Sequence, residues 1–365
     1  MKQNEALYSQ YLIDGIETDN TPAELLRDYG EACVPEEACP GQIVDESLDP
    51  NPKPSTFRQS QVATYIDSIM NLPDRFPTRH PRSGTKTRVA VSLIDTLWLD
   101  GHFRLGNLRI SPKWRWSDEK TGNMAAFYQS VEALCEYVSE MGLKVEDYAY
   151  EESSLDCHLD IDVRFSPVAP MEEEEADEIV PGKKRSCPDR VRKESDSWIV
   201  YVPFDTCPYR LGASALSAFA GNGADNAPEV QDADYFIDCY EVIREMVEDG
   251  IAMSGVTVGK GGLMTAAARL CAETGTTLDV SGIASSYDEA NTARILFGEI
   301  PGVLVQFSDI DFDYIDSQFL LQDIAYYPLG HPDGIAGQIG VRHSRKPAVA
   351  GILGALLGQA SEGED

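Results

Sequence analysis

Apolar runs of two different periods alternate along this chain between residues 89 and 307, and that alternation restricts the fold more than any other feature. Helical spacing appears in Val89, Leu93, Leu97 and Trp98, and again over residues 124–141, where Phe127, Val131, Leu134 and Val138 share a face and Gly142 supplies the stop. Short β-type runs separate and follow these helices. They are Leu108-Arg109-Ile110; then Leu159, Ile161, Val163 and Phe165 alternating with Asp160, Asp162 and Arg164; then residues 198–202. Further helices are expected over 234–249 and 263–274, stopped by Gly250 and Gly275, and further strands over 278–280 and 303–307. Helices and strands intermixed in this way require sheets covered by helices, an α/β or α+β fold.

Outside that span the pattern weakens. Residues 1–85 are rich in breakers such as Pro50, Pro52, Pro54, Pro77 and Pro81, which predicts short helices over 21–29 and 60–70, long loops and little sheet. The acidic run 172–178, followed by Lys183-Lys184-Arg185, reads as a solvated linker. Beyond Gly330 the chain turns Gly-, Ala- and Ser-rich, and its apolar segment 351–357 is too short for a membrane span and suits a docked terminal helix. The expected organisation is a divergent N-terminal segment (1–85), a first domain (86–168), a charged linker (169–196), an α/β domain (197–330) and a tail (331–365).

Thirty basic against 61 acidic side chains leave a formal charge of −31, which repels phosphate backbones and argues against nucleic acid as a partner. The first residues, Met1-Lys2-Gln3-Asn4-Glu5, lack the apolar core of a signal peptide, and no stretch approaches the roughly 20 apolar residues of a membrane span. A cytoplasmic protein without a membrane partner is expected. Eight cysteines show neither a Cys-x-x-Cys pair nor zinc spacing, so reduced, partly buried thiols are expected and no metal site is assigned. Cys157-His158 invites a nucleophile reading, but no orienting acid accompanies it and a strand begins there; no catalytic residue is assigned. His80, His102, His331 and His343 lie in loop-like sequence without metal spacing, and Trp114 and Trp116 read as core or interface aromatics.

Three stretches, taken in order, resemble the C-terminal domain of the aminoimidazole ribonucleotide synthase superfamily, and in particular its formylglycinamidine ribonucleotide synthases. Leu211-Gly212-Ala213-Ser214 resembles their Leu-Gly-Gly-Ser turn. Val258-Gly259-Lys260-Gly261-Gly262-Leu263 stands where they have a His-Asp-x-Ser-x-Gly-Gly-Leu loop that opens a helix. Leu296-Phe297-Gly298-Glu299-Ile300-Pro301-Gly302 resembles their Leu-Phe-x-Glu-x-Pro-Gly element. Upstream, residues 89–98 resemble a family helix reading Ile-Ala-Glu-Ala-Leu-Thr-Asn-Ile-Val-Trp, and Lys113-Trp114-Arg115-Trp116 a family Asn-Trp-Met-Trp. The resemblance covers residues 89–330 and implies the superfamily's two-domain architecture of mixed sheets and flanking helices, with a shortened N-terminal half.

Such enzymes use ATP and magnesium to phosphorylate an amide oxygen before nitrogen attacks, which requires carboxylates on the metal and amides around the phosphate. Here the family's helix glutamate is Val91 and its asparagine is Asp95. Its Gly-Lys-Asp-Ser motif falls within residues 148–154, and its His-Asp-x-Ser loop has become Val256-Thr257-Val258-Gly259. The resemblance therefore implies a binding or assembly protein without the ordinary activity, paired as a homodimer or with a synthase-like partner subunit. One alternative is an ATP- and magnesium-dependent amidine-forming ligase whose ligands have moved to Glu151, Glu152, Asp156, Asp160 or Asp162. Another is a phosphate or nucleotide sensor built on Gly259, Lys260, Gly261 and Gly262, where amides, a helix dipole and an ammonium converge on an anion site. The plainer reading is that these glycines permit a tight turn and Lys260 is solvated. Glu299 either faces the cleft between domains or is a surface or helix-capping residue.

Overall fold

The computed structural model describes residues 3–29, 41–48, 75–99, 104–165, 187–193, 196–220 and 226–343. The expected helix over 60–70, the charged runs at 172–178 and 183–185, the segment 351–357, His102, Cys33 and Cys39 lie outside the described residues.

The N-terminal region holds more sheet than expected. Helix α1 (Gln3–Tyr8) leads into β1 (Gln10–Ile13) and β2 (Ile16–Glu17), a hairpin closed by Asp14-Gly15 with both residues at positive φ, 52° and 80°. Asp-Gly in that conformation makes the two-residue turn whose twist matches paired strands. Strands of four and two residues are too short to register as a period, which is the physical reason for the difference. Helix α2 (Pro22–Asp28) is fixed by a capping box between Thr21 and Glu24, and β3 (Gln42–Asp45) lies parallel to β1.

The next block begins at α3 (Pro81–Asp95), which continues as a 3-10 turn over Thr96–Trp98. Strand β4 (Leu108–Trp116) runs past the expected end at Ile110 and is the centre of a mixed sheet. β5 (Lys144–Val145) and β6 (Ala149–Glu152) lie parallel along one of its edges, and β7 (His158–Phe165) antiparallel along the other. Pro112 falls between the β5 and β6 pairings, where the parallel edge is interrupted. Helix α4 (Asn123–Glu140) packs on α3, and its Phe127 meets Trp114, Trp116 and Tyr150 at ring separations of 5.8, 5.8 and 5.0 Å. Both tryptophans are core residues.

The third block contains β8 (Ser197–Pro203), α5 (Ala215–Ala220), α6 (Ala233–Glu248), β9 (Ala252–Val258), α7 (Gly262–Leu270) and β10 (Thr276–Asp279). It continues with α8 (Ser281–Ser286), α9 (Thr292–Phe297), β11 (Gly302–Ser308), α10 (Phe312–Leu321), β12 (Tyr327–Gly330) and β13 (Ile339–Arg342). An antiparallel sheet has the order β12-β8-β11-β9, and β10 pairs in parallel with β13. Two expectations change here. Residues 256–258 belong to strand β9, not to a loop, and α7 stops at Leu270. In the middle of the sheet the buried Gln306 amide exchanges two 2.8 Å hydrogen bonds with the backbone of Arg192, so a side chain does the work of a neighbouring strand and ties residues 187–193 down.

Candidate functional site

The three glycine-containing stretches, far apart in sequence, meet at one carboxylate. Glu299 Oε1 accepts 2.7 Å hydrogen bonds from the backbone N–H of Ala215, at the start of α5, and of Gly261, the residue that caps α7. Local conformation explains the approach. Gly261 and Gly262 sit at φ 81° and 68°, and a Cβ on Gly262 would lie 2.7 Å from the Leu296 carbonyl oxygen and 2.8 Å from Phe297 Cα. On the other side, Ser214 turns its hydroxyl onto the Leu211 carbonyl at 2.6 Å, which holds the Ala213 turn at φ 64° and aims the Ala215 amide. Burial pushes the Glu299 carboxyl up to about 7, opposed by its two backbone donors and by the positive charges of Arg88 and Lys260. The structure thus joins Gly261 to Glu299, and the anion facing the glycine loop is the chain's own carboxylate.

A second junction lies alongside. Helix α3 and its 3-10 extension rest on β9 and the residue that follows it through alternate positions, 255, 257 and 259. Trp98 covers Gly255, where a Cβ would stand 2.5 Å from the indole, and Val91 covers Gly259, where a Cβ would stand 3.0 Å from Cγ2. Between them Thr257 donates a very short hydrogen bond to Asp95 and accepts one of 2.8 Å from the Trp98 indole N–H. Asp95 keeps one side toward solvent, yet displacement of water by the packing raises its carboxyl above the ordinary range, against the opposing Thr257 bond and the charge of Arg269. Glycine at 255 and 259 is what permits a helix and a tryptophan to approach a strand this closely.

The remaining candidates do not converge. Glu151, Asp156, Asp160 and Asp162 pair with Lys113, Arg75, Arg115 and Arg164 at 2.7, 3.1, 2.9 and 3.2 Å. Each carboxylate has a different cation, along exposed strand faces and loops. Among the described residues no group of three or more His, Cys, Asp or Glu is placed to hold a metal ion. Cys157 is buried, with its thiol on the Ser117 carbonyl at 3.8 Å and its pKa raised by burial. His331 bonds the Ser197 carbonyl and His343 the Thr292 hydroxyl, at 2.8 and 2.7 Å.

No family model matches the sequence. A curated relative, a probable phosphoribosylformylglycinamidine synthase of Arabidopsis thaliana, is 21% identical over 261 residues, which is 69% of this chain and 17% of that protein. Among solved structures, Thermotoga maritima PurL complexed with FGAR superposes with a TM-score of 0.53 at 16% identity, covering 70% of this chain and 40% of that one. The same protein complexed with AMPPCP gives 0.50 at 14% identity, over 73% and 40%. This chain has the aminoimidazole ribonucleotide synthase-like fold. It spans well under half the length of each of these relatives.

Among the described residues, the groups around Gly259 and Gly261 do not gather a shell of oxygen ligands for magnesium. The helix position that the resemblance assigns to a metal-side glutamate holds Val91, pressed on Gly259. The neighbouring Thr257 is satisfied by Asp95 and Trp98, and Glu299 already accepts the Gly261 amide. A divalent cation requires several oxygen ligands around one point, and this set offers an isopropyl group there.

Proposed function

We propose that this chain is a synthase-like scaffold that serves as a binding or assembly protein and does not perform the ATP-driven amidine-forming reaction. The observation that carries this reading is the contact of Val91 with Gly259. Where a metal-bearing side chain belongs by resemblance, an apolar one rests on the loop before α7. An isopropyl group neither ligates magnesium nor moves a proton. The ligase alternative is disfavoured by the separate cation held by Glu151, Asp156, Asp160 and Asp162. The phosphate-sensor alternative is disfavoured because Glu299 already presents a carboxylate to the Gly261 amide. Pairing, as a homodimer or with a synthase-like subunit, is part of this reading.

Thermal unfolding with ATP and magnesium tests this reading directly. A ligand at 100 times its dissociation constant adds about 2.7 kcal/mol of stability. The expected result is no shift and no nucleotide hydrolysis, with or without a formylglycinamide ribonucleotide. A magnesium-dependent shift of that size would overturn the proposal.

A further inference from the structure

We infer that the outer face of α10 is a docking surface for a cationic amphipathic helix of a partner protein. The inference deepens the assembly reading by naming the partner's chemistry. An active enzyme can carry the same surface, so the nucleotide test above and the one below fail independently.

Helix α10 is apolar on two opposite faces. Ile315 and Phe319 are fully buried against the third block, which accounts for one face. The other carries Tyr314 and Leu321, with Leu320 beside them, at 47, 76 and 69% exposure, and is extended by Ile310, 90% exposed, in the 3-10 turn Asp309–Asp311 that leads into the helix. Two polar residues share that side: Ser317 folds its hydroxyl onto the Tyr314 carbonyl at 2.6 Å and so asks little of solvent, and Asp313 is exposed beside Leu320 at helical spacing. A helix apolar all round belongs inside a structure, and an exposed apolar stripe with a polar rim marks an interaction site.

The rim selects the occupant. Asp309, Asp311, Asp313, Asp316 and Asp323 lie along the same stretch of chain, Asp309 accepting from the Trp198 indole N–H at 3.1 Å and Asp316 from the Tyr326 hydroxyl, and residues 308–330 include no Lys, Arg or His. An anionic lipid surface is repelled by such a rim, and so is the same acidic face of a second copy. An apolar seam flanked by Lys or Arg satisfies both the stripe and the rim. From Ile310 to Leu321 the stripe runs roughly 17 Å, the span of about three helical turns.

The probe is a synthetic Leu/Lys amphipathic helix of roughly 14 residues, titrated by fluorescence anisotropy into the full chain at two ionic strengths. The expected result is saturable binding that falls about tenfold in an Ile310→Ser/Leu321→Ser variant of unchanged melting temperature, and about tenfold for a peptide of the same composition in scrambled order. Equal affinity for the variant or the scrambled peptide would mean charge attraction alone and would overturn the inference. Two other outcomes would also overturn it. A dimer that the double substitution splits in sedimentation would assign the face to a second copy, and a tenfold gain in peptide affinity on deleting residues 344–365 would assign it to the chain's own tail.

Discussion

Glu299 shows how much one carboxyl can be asked to do. Its Oε1 accepts from two main-chain donors, 84 and 38 residues earlier, at the starts of two helices, while burial raises its pKa to about 7. A glutamate's ordinary value is 4.5, so between about 4.5 and 7 the folded state binds more protons than the unfolded one and stability falls as pH rises. The benefit of the neutral carboxyl is complete below that window and gone above it. Replacing Glu299→Gln keeps an acceptor oxygen and removes the titration. Denaturant unfolding at pH 4 and pH 8 should therefore move in the variant's favour by about 1–3 kcal/mol relative to the parent across the window. An unchanged difference would mean that the carboxyl is better solvated than its surroundings imply. Ala213 holds φ 64° where the resembling turn has glycine. A left-handed alanine is strained, whereas glycine costs entropy, so Ala213→Gly should raise stability by about 0.5–1 kcal/mol, read as a higher urea midpoint at constant slope.

Elements differ in how legibly the sequence announces them. The helix now seen at Asn123–Glu140 is readable because its apolar residues recur at helical spacing and Gly142, at φ 67°, ends it. Strand β9 is not, because its sequence Ala-Met-Ser-Gly-Val-Thr-Val mixes small and polar residues that are buried by sheet and helix together rather than by their own period. The glycine stretches are legible one at a time. Their meeting at Glu299 is not, since hydrogen bonds between distant segments leave no local pattern. Nor does anything near α4 announce its N-terminal cap. Asp45, at the end of β3, accepts from the backbone N–H of Gly122, Met124 and Ala125 at 2.8, 2.9 and 3.1 Å. A carboxylate at a helix N-terminus satisfies donors that would otherwise be orphaned and meets the positive end of the dipole. Asp45→Ala should cost about 2 kcal/mol in thermal or chemical unfolding, and Asp45→Asn less, because one acceptor oxygen survives. Equal losses for both would show that charge, not acceptor geometry, is what the cap supplies.

At the scale of the whole molecule the deciding feature is the way α3 closes onto β9. Trp98, Asp95 and Val91 meet Gly255, Thr257 and Gly259, so one strand face is spent on packing that, by resemblance, belongs to a reaction cleft. Restoring the resembling glutamate tests whether that closure is cause or ornament. If the cleft has been given over to packing, Val91→Glu replaces a half-buried isopropyl group beside Gly259 with a longer, charged side chain. Loss of that packing and partial desolvation of the new carboxyl should cost about 1–2 kcal/mol of stability, less as pH is lowered and the carboxyl becomes neutral. Magnesium and ATP should return none of that loss, because one glutamate does not complete an oxygen shell. Were the variant instead stabilised by magnesium together with nucleotide, the closed junction would be a metal site lacking a single ligand, and the chain would be one substitution away from the chemistry that its fold accommodates elsewhere.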